Sequence, residues 1–375
     1  MVVSTYRLIL SGLGNVGRSF LQILQSQETL LRERYGVAFR VVGAADSGGA
    51  ALSDAGLDIA ALLDAKQRRA SAATLPNVGR AGMSGPALVK AAEADVLLEA
   101  TLVNLQTGQP GLDITRAALE RGMHTVLANK APLVLAYQEL AKLSDLGADG
   151  ETGRQGDKEI RDELSPPLPL SPSPCLRFSA CVGGFLPSIN MGWRDLRGCR
   201  ITRLEAVFNG TTQIILGAME SGASYAEGLA DAQQRGLAET DLTLDVEGWD
   251  AANKLVIFAN AVLRQPTTLQ DVSVEGITTL TADDLHAARQ RGERMVLLCL
   301  AAPDGEQYRL SVRPTALPLD HPLARMSRNE MGLVFHTDIA GQLSATSRER
   351  GPQPTAAAML RDVLEVVGTE GTRRN

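Results

Sequence analysis

The stretch Gly12-Leu13-Gly14-Asn15-Val16-Gly17 decides the fold of this chain, because it joins a predicted strand, Arg7–Leu10, to a predicted helix, Asn15–Gln27. Glycines at this spacing make a tight turn, let the backbone approach a pyrophosphate, and let helix and strand pack closely. The anion would rest on the amide groups at the helix N-terminus. The sequence therefore predicts a dinucleotide site formed by Gly12, Gly14, Asn15, Val16 and Gly17.

The first 135 residues alternate short apolar runs with amphipathic stretches, which is typical of βαβ units around a parallel sheet. The further predicted strands are Phe39–Ala45, Val96–Ala100 and Thr125–Ala128. The further predicted helices lie near Ile59–Lys66 and from Asp113 to Arg121, before Gly122. The sequence therefore predicts the α/β class, with a Rossmann-type parallel-sheet nucleotide domain.

A second domain, of the α+β type, is expected downstream, because 375 residues exceed what one core usually holds. Residues 147–174 are rich in Gly, Pro, Ser and charge and are predicted to form a flexible loop; two PxxP spacings leave a docking peptide as the alternative. We expect residues 1–146 and 322–375 to form the nucleotide domain and 175–321 the second domain. Its predicted elements, with those of the C-terminal segment, are Cys175–Gly184, a strand that enters a glycine turn, the strands Ile201–Asn209, Tyr308–Arg313 and Leu333–Asp338, and the helices Thr211–Met219, Asp250–Leu263 and Gln353–Val367.

Bulk composition excludes several classes of function. The net charge of −6 offers no polycation for nucleic acid or anionic lipid, so a small-molecule substrate is favoured. The sequence has no uncharged apolar run of about 18 residues, and its N-terminus enters a strand pattern directly, so we expect a cytoplasmic protein without a membrane span. Four cysteines without a CxxC pair and four scattered histidines indicate neither a disulfide framework nor a zinc site.

Two features bear on the type of dinucleotide. Asp46 ends the second predicted strand and could accept hydrogen bonds from an adenosine ribose, which would favour NAD; an ordinary turn aspartate is the alternative. Lys66, with Arg68 and Arg69 nearby, could instead meet the 2′-phosphate of NADP. The sequence leaves this choice open. Thr101, just after the third predicted strand, is a further candidate for cofactor contact.

Lysine usage singles out two positions. The chain has six lysines against thirty-one arginines, so a cation needed only for solubility is usually arginine. Lysine can lose its proton when desolvated, which acid and base chemistry requires. Asn129 and Lys130 follow the fourth predicted strand, where ligands bind in open α/β sheets, and Lys254 lies in a largely apolar helix. Lys130 and Lys254 are therefore the catalytic candidates, although a strand-end lysine more often simply reaches water.

Acidic residues gather immediately before and within that apolar helix. Asp250 and Lys254 are one helical turn apart and can pair on one face. Glu239 and Asp245 precede them in the chain. A solvated charge cluster is the alternative, but a partly buried set of acids and a lysine beside an apolar helix is suited to binding a zwitterion.

At these residues the sequence resembles the homoserine dehydrogenase family, over nearly the whole chain outside 147–174. The further motifs that carry the resemblance are Asn209-Gly210-Thr211-Thr212, the turn Val182-Gly183-Gly184 that ends in Pro187, and Glu275–Leu280. The resemblance implies a Rossmann-type domain, a substrate-binding and dimerisation domain, a C-terminal segment that returns to the first domain, and a homodimer. Because no domain-sized stretch follows that segment, we expect a short form without a C-terminal regulatory domain and without inhibition at a distal threonine site.

The resemblance also implies roles for residues. Lys130 and Lys254 match the family's two functional lysines, Glu239, Asp245 and Asp250 match its substrate-side acids, and Gly210 and Thr211 match a stretch that lies against substrate. Homoserine would bind by its ammonium group, and a lysine with a depressed pKa would take the hydroxyl proton while hydride leaves for NAD or NADP. The carbonyls of Val182, Gly184 and Leu186 would hold Na⁺ or K⁺.

Departures from the family pattern leave alternatives open. Phe185 replaces the third glycine of the turn, and would cost ~1–2 kcal/mol if that position needs a positive φ. Leu237 stands where an aromatic is common, Gln213 where Asn is usual, and Ser179 where an acid is often found. The alternatives are a related reductase for another hydroxy amino acid, or a nucleotide-sensing scaffold without turnover.

Overall fold

The structure is a computed structural model that describes residues 3–147, 173–234, 242–349 and 351–373. Contacts within the chain divide it into two compact units. The first unit comprises Met1–Phe178 and Thr355–Asn375, and the second comprises Ser179–Pro354.

The first unit is built on a sheet with the strand order β4-β3-β2-β1-β5-β6-β7 over its described residues. Strands β2, β1, β5, β6 and β7 run parallel, whereas β3 and β4 extend the β2 edge antiparallel. The bounds are β1 Ser4–Ser11, β2 Val37–Asp46, β3 Gly49–Leu52, β4 Gly79–Ala81, β5 Val96–Glu99, β6 His124–Leu127 and β7 Leu176–Arg177. All four residues of β5 are buried, as expected of a central strand covered on both faces.

Helices connect the parallel strands of the first unit. They are α1 Asn15–Ser26, α2 Glu28–Tyr35, α3 Ile59–Gln67, α4 Gly85–Ala91, α5 Gly111–Glu120 and α6 Ala131–Lys142. The last helix of the chain, Gln353–Arg373, begins at the boundary of the units, and all but its first two residues belong to this unit. Apolar residues of the sheet and of α4 and α5, including Ile9, Leu88, Leu97 and Ile114, form one buried cluster that fixes the carboxyl ends of β1 and β5 side by side.

The second unit contains a mostly antiparallel sheet with the order β13-β12-β8-β10-β11-β9 over its described residues. Only the β11–β9 pairing is parallel among these strands. The strand bounds are β8 Ile201–Val207, β9 Val272–Val274, β10 Glu293–Asp304, β11 Gln307–Pro318, β12 Glu330–Thr337 and β13 Gln342–Arg348. The central position of β8 places its end next to the helix that follows.

Helices of the second unit carry most of the residues predicted to meet substrate. The bounds are α7 Gly210–Glu220, α8 Tyr225–Gln234, α9 Thr243–Val246, α10 Trp249–Ala261 and α11 Ala282–Gln290, preceded by short turns at Ser179–Cys181 and Ser188–Asp195. Helix α10 is buried along nearly its whole length, which agrees with its apolar sequence.

The structure differs from the sequence-based expectation at several places. The units divide after Phe178 and before Thr355, because β7 pairs with β6 of the first sheet and β12 and β13 pair within the second. The strand predicted within Cys175–Gly184 is shorter than expected, because Leu176–Arg177 alone pair and a short helical turn follows; the glycine turn that it was predicted to enter is present. The predicted loop 147–174 lies, except at its ends, outside the described residues.

The two fold classes expected from the sequence are confirmed, a parallel Rossmann-like sheet and a mainly antiparallel α+β unit. Within the described ranges, none of the helices combines the length and apolar character needed to cross a bilayer.

Candidate functional site

The three glycines of the glycine-rich turn differ in how strictly the surrounding structure requires glycine. Gly12 has a φ of +96°, and a Cβ there would lie 2.3 Å from the carbonyl carbon and oxygen of Ala100. A Cβ on Gly17 would lie 2.0 Å from the Gly12 carbonyl oxygen. Gly14 is different, because a Cβ there would meet no described atom within 4 Å. Gly12 and Gly17 are therefore needed for packing, whereas nothing in this unit requires Gly14.

The N-terminus of α1 opens at Gly14, and it fits the phosphates of a dinucleotide. Gly14 is the N-cap residue and supplies no side-chain cap, and both Gly14 and Asn15 are exposed. The Asn15 side chain accepts a hydrogen bond from Arg18 Nη2 at 2.7 Å, and Val16 is partly buried. Amides without a side-chain cap at the start of a twelve-residue helix, next to a glycine whose Cβ position is open, suit an anion.

Asp46 ends β2, and its carboxylate is held by its own unit. Oδ2 accepts hydrogen bonds from Lys66 Nζ at 2.7 Å and from the Ala72 amide, and Oδ1 accepts from Ser71 Oγ at 2.6 Å and from the Gly48 amide. Burial by itself would raise the pKa of Asp46, but these four donors together lower it. Asp46 is therefore a charged, fully bonded residue, with little capacity left for a ribose.

A buried polar cluster lies at the carboxyl ends of β5 and β6. Glu99 is fully buried, and its Oε1 accepts hydrogen bonds from the Thr101 amide at 2.9 Å and from Thr101 Oγ1. Asn129 Nδ2 donates to Thr101 Oγ1 at 3.2 Å. Burial raises the pKa of Glu99 to about 7, against the opposing effect of Thr101 and Asn129. Thr101 and Asn129, both predicted to meet a cofactor, thus belong to one network.

Lys130 is the N-cap residue of α6 and is partly buried. Its carbonyl accepts the amides of Leu133 and Val134, and Asn129 Oδ1 accepts the Ala131 amide at 3.0 Å. Pro132 stands at the start of the helix, where its fixed φ is well suited. The turn from β6 into α6 therefore holds the Lys130 backbone firmly.

In the second unit, Asn209 joins two carboxylates and a lysine. Asn209 Nδ2 donates to Asp245 Oδ1 at 2.6 Å and to Asp250 Oδ2 at 2.8 Å. Lys254 Nζ donates to the same Asp250 oxygen at 2.7 Å and to the Phe208 carbonyl at 2.7 Å. Asn209 Oδ1 caps α7 by accepting the Thr212 amide. Asp250 and Asn209 are buried, so the network is a fixed arrangement rather than a solvated charge cluster.

Asp245 is a member of this network whose ionised form is disfavoured. Its pKa is raised by burial and by the neighbouring Asp250, against the opposing effects of Asn209, Lys254 and the Thr211 hydroxyl. Thr211 lies in the first turn of α7, directly after Gly210, at which a Cβ would meet no described atom within 4 Å. Two acids, one lysine and two polar side chains thus meet at one place, which is chemistry suited to an amino-acid ligand.

Comparison with known proteins agrees with this geometry. A profile of the homoserine dehydrogenase family matches residues 187–364. The chain is 33% identical over 360 residues to a homoserine dehydrogenase of Methanocaldococcus jannaschii, covering 96% of this chain and 98% of that protein. The chain belongs to the homoserine dehydrogenase family. Another member, named an NAD(+)-dependent homoserine dehydrogenase, from Pseudomonas canavaninivorans, is 31% identical over 97% of both chains. A crystal structure of a putative homoserine dehydrogenase from Archaeoglobus fulgidus superposes with a TM-score of 0.79 at 30% identity, covering 98% of this chain and 99% of the other.

For this family member, the predicted substrate residues are not all described. The structure brings Asp245, Asp250, Lys254 and Thr211 together, whereas Glu239 lies outside the described residues. Two polar residues, Asn209 and Glu99, were missed as site candidates. The sequence does contain a signal for Glu99. It is a lone acid at the end of the apolar strand Val96–Glu99, and a strand of this kind is buried on both of its faces.

The turn predicted to bind a cation is shaped by two glycines with positive φ, Gly183 and Gly184. Among the described residues Phe185 is not one of those with a positive φ, so the condition under which it would be strained is not met. The Val182 carbonyl accepts the Ser188 hydroxyl at 2.8 Å, and the Leu186 carbonyl accepts the Ser188 amide. Each carbonyl has a second lone pair, so these bonds do not by themselves prevent ligation of a cation.

Proposed function

We propose that this homoserine dehydrogenase family member interconverts L-homoserine and L-aspartate 4-semialdehyde with a nicotinamide dinucleotide. The observation that carries the proposal is the buried network of Asn209, Asp245, Asp250 and Lys254, in a chain whose glycine-rich turn presents an uncapped helix N-terminus. Neither a related reductase nor a scaffold without turnover is favoured by a specific observation.

The residue roles follow from the chemistry that each group can perform. Glu239 would bind the ammonium group of the substrate directly and Asp245 would bind it through solvent, and the Asn209 amide keeps Asp245 in place. Lys130 would accept the hydroxyl proton, and Lys254 would stabilise developing negative charge. The nicotinamide, when bound, supplies the hydride acceptor or donor. In the biosynthetic direction the same groups would protonate the aldehyde oxygen.

The activity test compares lysine variants with a matched control. Reduction of NAD⁺ and of NADP⁺ by L-homoserine is followed in the wild type and in Lys130→Ala, Lys254→Ala and Lys90→Ala. Lys90 is an exposed lysine on α4 outside both clusters. We expect each of the first two substitutions to lower kcat by at least about 10²-fold and the control to leave it unchanged. Full activity in both Lys130→Ala and Lys254→Ala would refute the assignment.

A second test addresses the dinucleotide site without turnover. Gly14→Ala adds a methyl group where the unit has open space, so stability should stay within about 0.5 kcal/mol of the wild type. If the backbone at Gly14 approaches a pyrophosphate, the same methyl group should weaken dinucleotide binding about tenfold or more. Unchanged affinity in a stably folded Gly14→Ala variant would place the phosphates elsewhere.

The Asp46–Lys66 pair is the place where NAD and NADP would be distinguished. A free Asp46 carboxylate would select NAD over NADP. We propose that Lys66 weakens this selection, because its ammonium group lies 2.7 Å from the Asp46 carboxylate and offsets the carboxylate charge. Titration of the wild type and of Lys66→Ala with NAD⁺ and NADP⁺ measures this. Removing the lysine should weaken NADP⁺ binding more than NAD⁺ binding, and equal losses would contradict the proposal.

Two further properties are proposed from the family resemblance. We expect a homodimer, which light scattering measures directly. We also expect Na⁺ or K⁺ to bind the carbonyls of Val182, Gly184 and Leu186. Melting temperatures in NaCl, KCl and choline chloride at equal ionic strength test the cation, since only a bound ion distinguishes these salts.

A further inference from the structure

Glu99 is a buried ionisable group that the proposed reaction does not use. It ends the central strand β5 and has no exposed surface. Oε1 accepts both hydrogen bonds from Thr101, whereas Oε2 has no hydrogen bond of acceptable geometry within the described part of the chain. The Asn129 amide is near enough to favour the carboxylate without completing that bond. A buried carboxyl group with a hydrogen bond to only one of its two oxygens reduces the stability of the fold, and such groups usually have a functional role.

The surroundings of Glu99 are shaped to keep this group in place. A Cβ on Gly111, the first residue of α5, would lie 3.0 Å from Glu99 Oε2 and 2.5 Å from Asn129 Nδ2. Glycine at this position therefore makes the space that the carboxyl and the amide occupy. A Cβ on Gly12 of the glycine-rich turn would lie 2.3 Å from the carbonyl of Ala100, so the turn packs against the backbone of the residue that follows Glu99.

The Glu99 carboxyl has a chemically simple surrounding. Thr101 and Asn129, neither of which ionises near neutral pH, are the side chains that act on it among the described residues. Burial raises the pKa of Glu99 to about 7, so it exchanges a proton in the physiological range. The elements that pack most closely against β5 are β1, β6 and α5, and their ionisable groups are Tyr6 and Arg7 on β1, His124 on β6, and Asp113, Arg116 and Glu120 on α5.

We propose that Glu99 is a proton-linked positioning residue of the dinucleotide site, which holds Thr101 and Asn129 and favours the oxidised dinucleotide over the reduced one when its carboxyl is ionised. The inference rests on the proposed function. The oxidised nicotinamide ring is a cation and the reduced ring is neutral, so a carboxylate in a low-dielectric core stabilises only the oxidised form. By reciprocal linkage, binding of the oxidised form lowers the proton affinity of Glu99 and releases a proton.

The test measures protons released on binding, in the absence of homoserine. Calorimetric titrations of the wild type with NAD⁺ and with NADH, each in two buffers of different ionisation enthalpy, give the number of protons exchanged. The unphosphorylated pair is used because a 2′-phosphate itself titrates near pH ~6. If ionisation of Glu99 changes the NAD⁺ affinity about tenfold, roughly half a proton is released per NAD⁺ near pH ~6.5, and none per NADH.

Two variants separate this role from a structural one. Glu99→Gln keeps the shape and an acceptor for Thr101 but cannot ionise, so NAD⁺ binding should release no proton and the ratio of NAD⁺ to NADH affinity should not vary between pH 6 and pH 8. Glu120→Gln removes an exposed carboxylate from α5 and should behave as the wild type. If Glu99→Gln weakens both forms equally and proton release persists, Glu99 is only structural and the proposal is overturned.

The remaining outcomes are also decisive. Should Glu99→Gln fail to fold, infrared spectra of the wild type answer the question, because a protonated-carboxyl band present at pH 6 should diminish on addition of NAD⁺. A band that NAD⁺ leaves unchanged overturns the proposal. Dinucleotide binding without proton release overturns the role of Glu99 and leaves the proposed function intact, whereas absence of any NAD⁺ or NADP⁺ binding refutes both.

Discussion

Substitution of Asn209 by aspartate is the sharpest test of the network in the second unit. In the wild type, Asn209 Nδ2 donates to Asp245 and Asp250 at 2.6 and 2.8 Å. The Asn209→Asp change keeps the oxygen that caps α7 but replaces the donor by an acceptor. Three carboxyl groups would then face one another with only Lys254 to offset them.

The size of the effect is set by protonation rather than by repulsion. At an effective dielectric constant of about 20, two unit charges ~2.7 Å apart repel by about 6 kcal/mol, and there would be two such pairs. Placing a proton on an aspartate of ordinary pKa at pH 7 costs only about 4 kcal/mol. The variant should therefore fold with one proton shared among the three groups, at a loss of about 4 kcal/mol plus ~1–2 kcal/mol for the second hydrogen bond.

This loss should depend on pH with a defined sign. The native variant binds one proton more than its unfolded chain, so its stability falls as pH rises, by about 1.4 kcal/mol per pH unit relative to the wild type. Urea unfolding of both proteins at pH 5, 6, 7 and 8 measures the difference. Asn77→Asp, the same change at an exposed position, is the control and should show neither loss nor slope. A deficit below 1 kcal/mol at pH 7, or one that is constant between pH 5 and pH 8, would refute the reasoning.

Substitutions at three other positions test the geometry. Gly12→Ala should cost at least about 2 kcal/mol in urea unfolding, because its Cβ would lie 2.3 Å from the Ala100 carbonyl at a φ of +96°. Glu99→Gln should gain stability relative to the wild type as pH rises from ~4.5 to 7, by about 3 kcal/mol, because over this range the unfolded wild-type chain ionises Glu99 while the folded protein keeps it protonated; unfolding curves at several pH values check this. Glu349→Ala should cost about 1–2 kcal/mol and Glu349→Gln less than half of that, because only the alanine removes the acceptor of the Phe185 amide; the melting temperatures of the two variants compare them.

The fold of the first unit could be predicted because its strands are short apolar runs between recognisable turns. The strands β1, β2, β5 and β6 begin and end within three residues of the predicted bounds. In contrast, β13 was missed, because Gln342–Arg348 has mainly small or polar side chains and alternates between exposed and partly buried positions. This strand forms because it pairs with β12, and that pairing depends on the tertiary structure rather than on the local sequence.

In the candidate site too, a contact within one helix could be predicted from the sequence, whereas contacts between distant parts of the chain could not. The Asp250–Lys254 pair could be predicted from its spacing of one helical turn, and the structure gives a 2.7 Å ion pair. The role of Asn209 could not, because it depends on a contact with residues 36 and 41 positions away. Sequence spacing reveals the faces of single elements, whereas the meeting of two elements depends on the packing of the whole unit.

The turn at Gly183 and Gly184 shows how a substitution that looks harmful in sequence is accommodated. The left-handed conformation at this turn is confined to these two glycines, so Phe185 is not sterically strained. The Phe185 side chain is 43% exposed. Its amide donates to Glu349 Oε1 at 3.0 Å, an acceptor that the Ser347 hydroxyl also contacts at 2.8 Å. A carboxylate therefore reaches this turn from the end of β13, whereas the nearby position 179 carries a serine. Glu349, 164 positions away in the sequence, thus supplies a carboxylate at the turn where we propose a cation. A serine at position 179 is therefore compatible with that proposal.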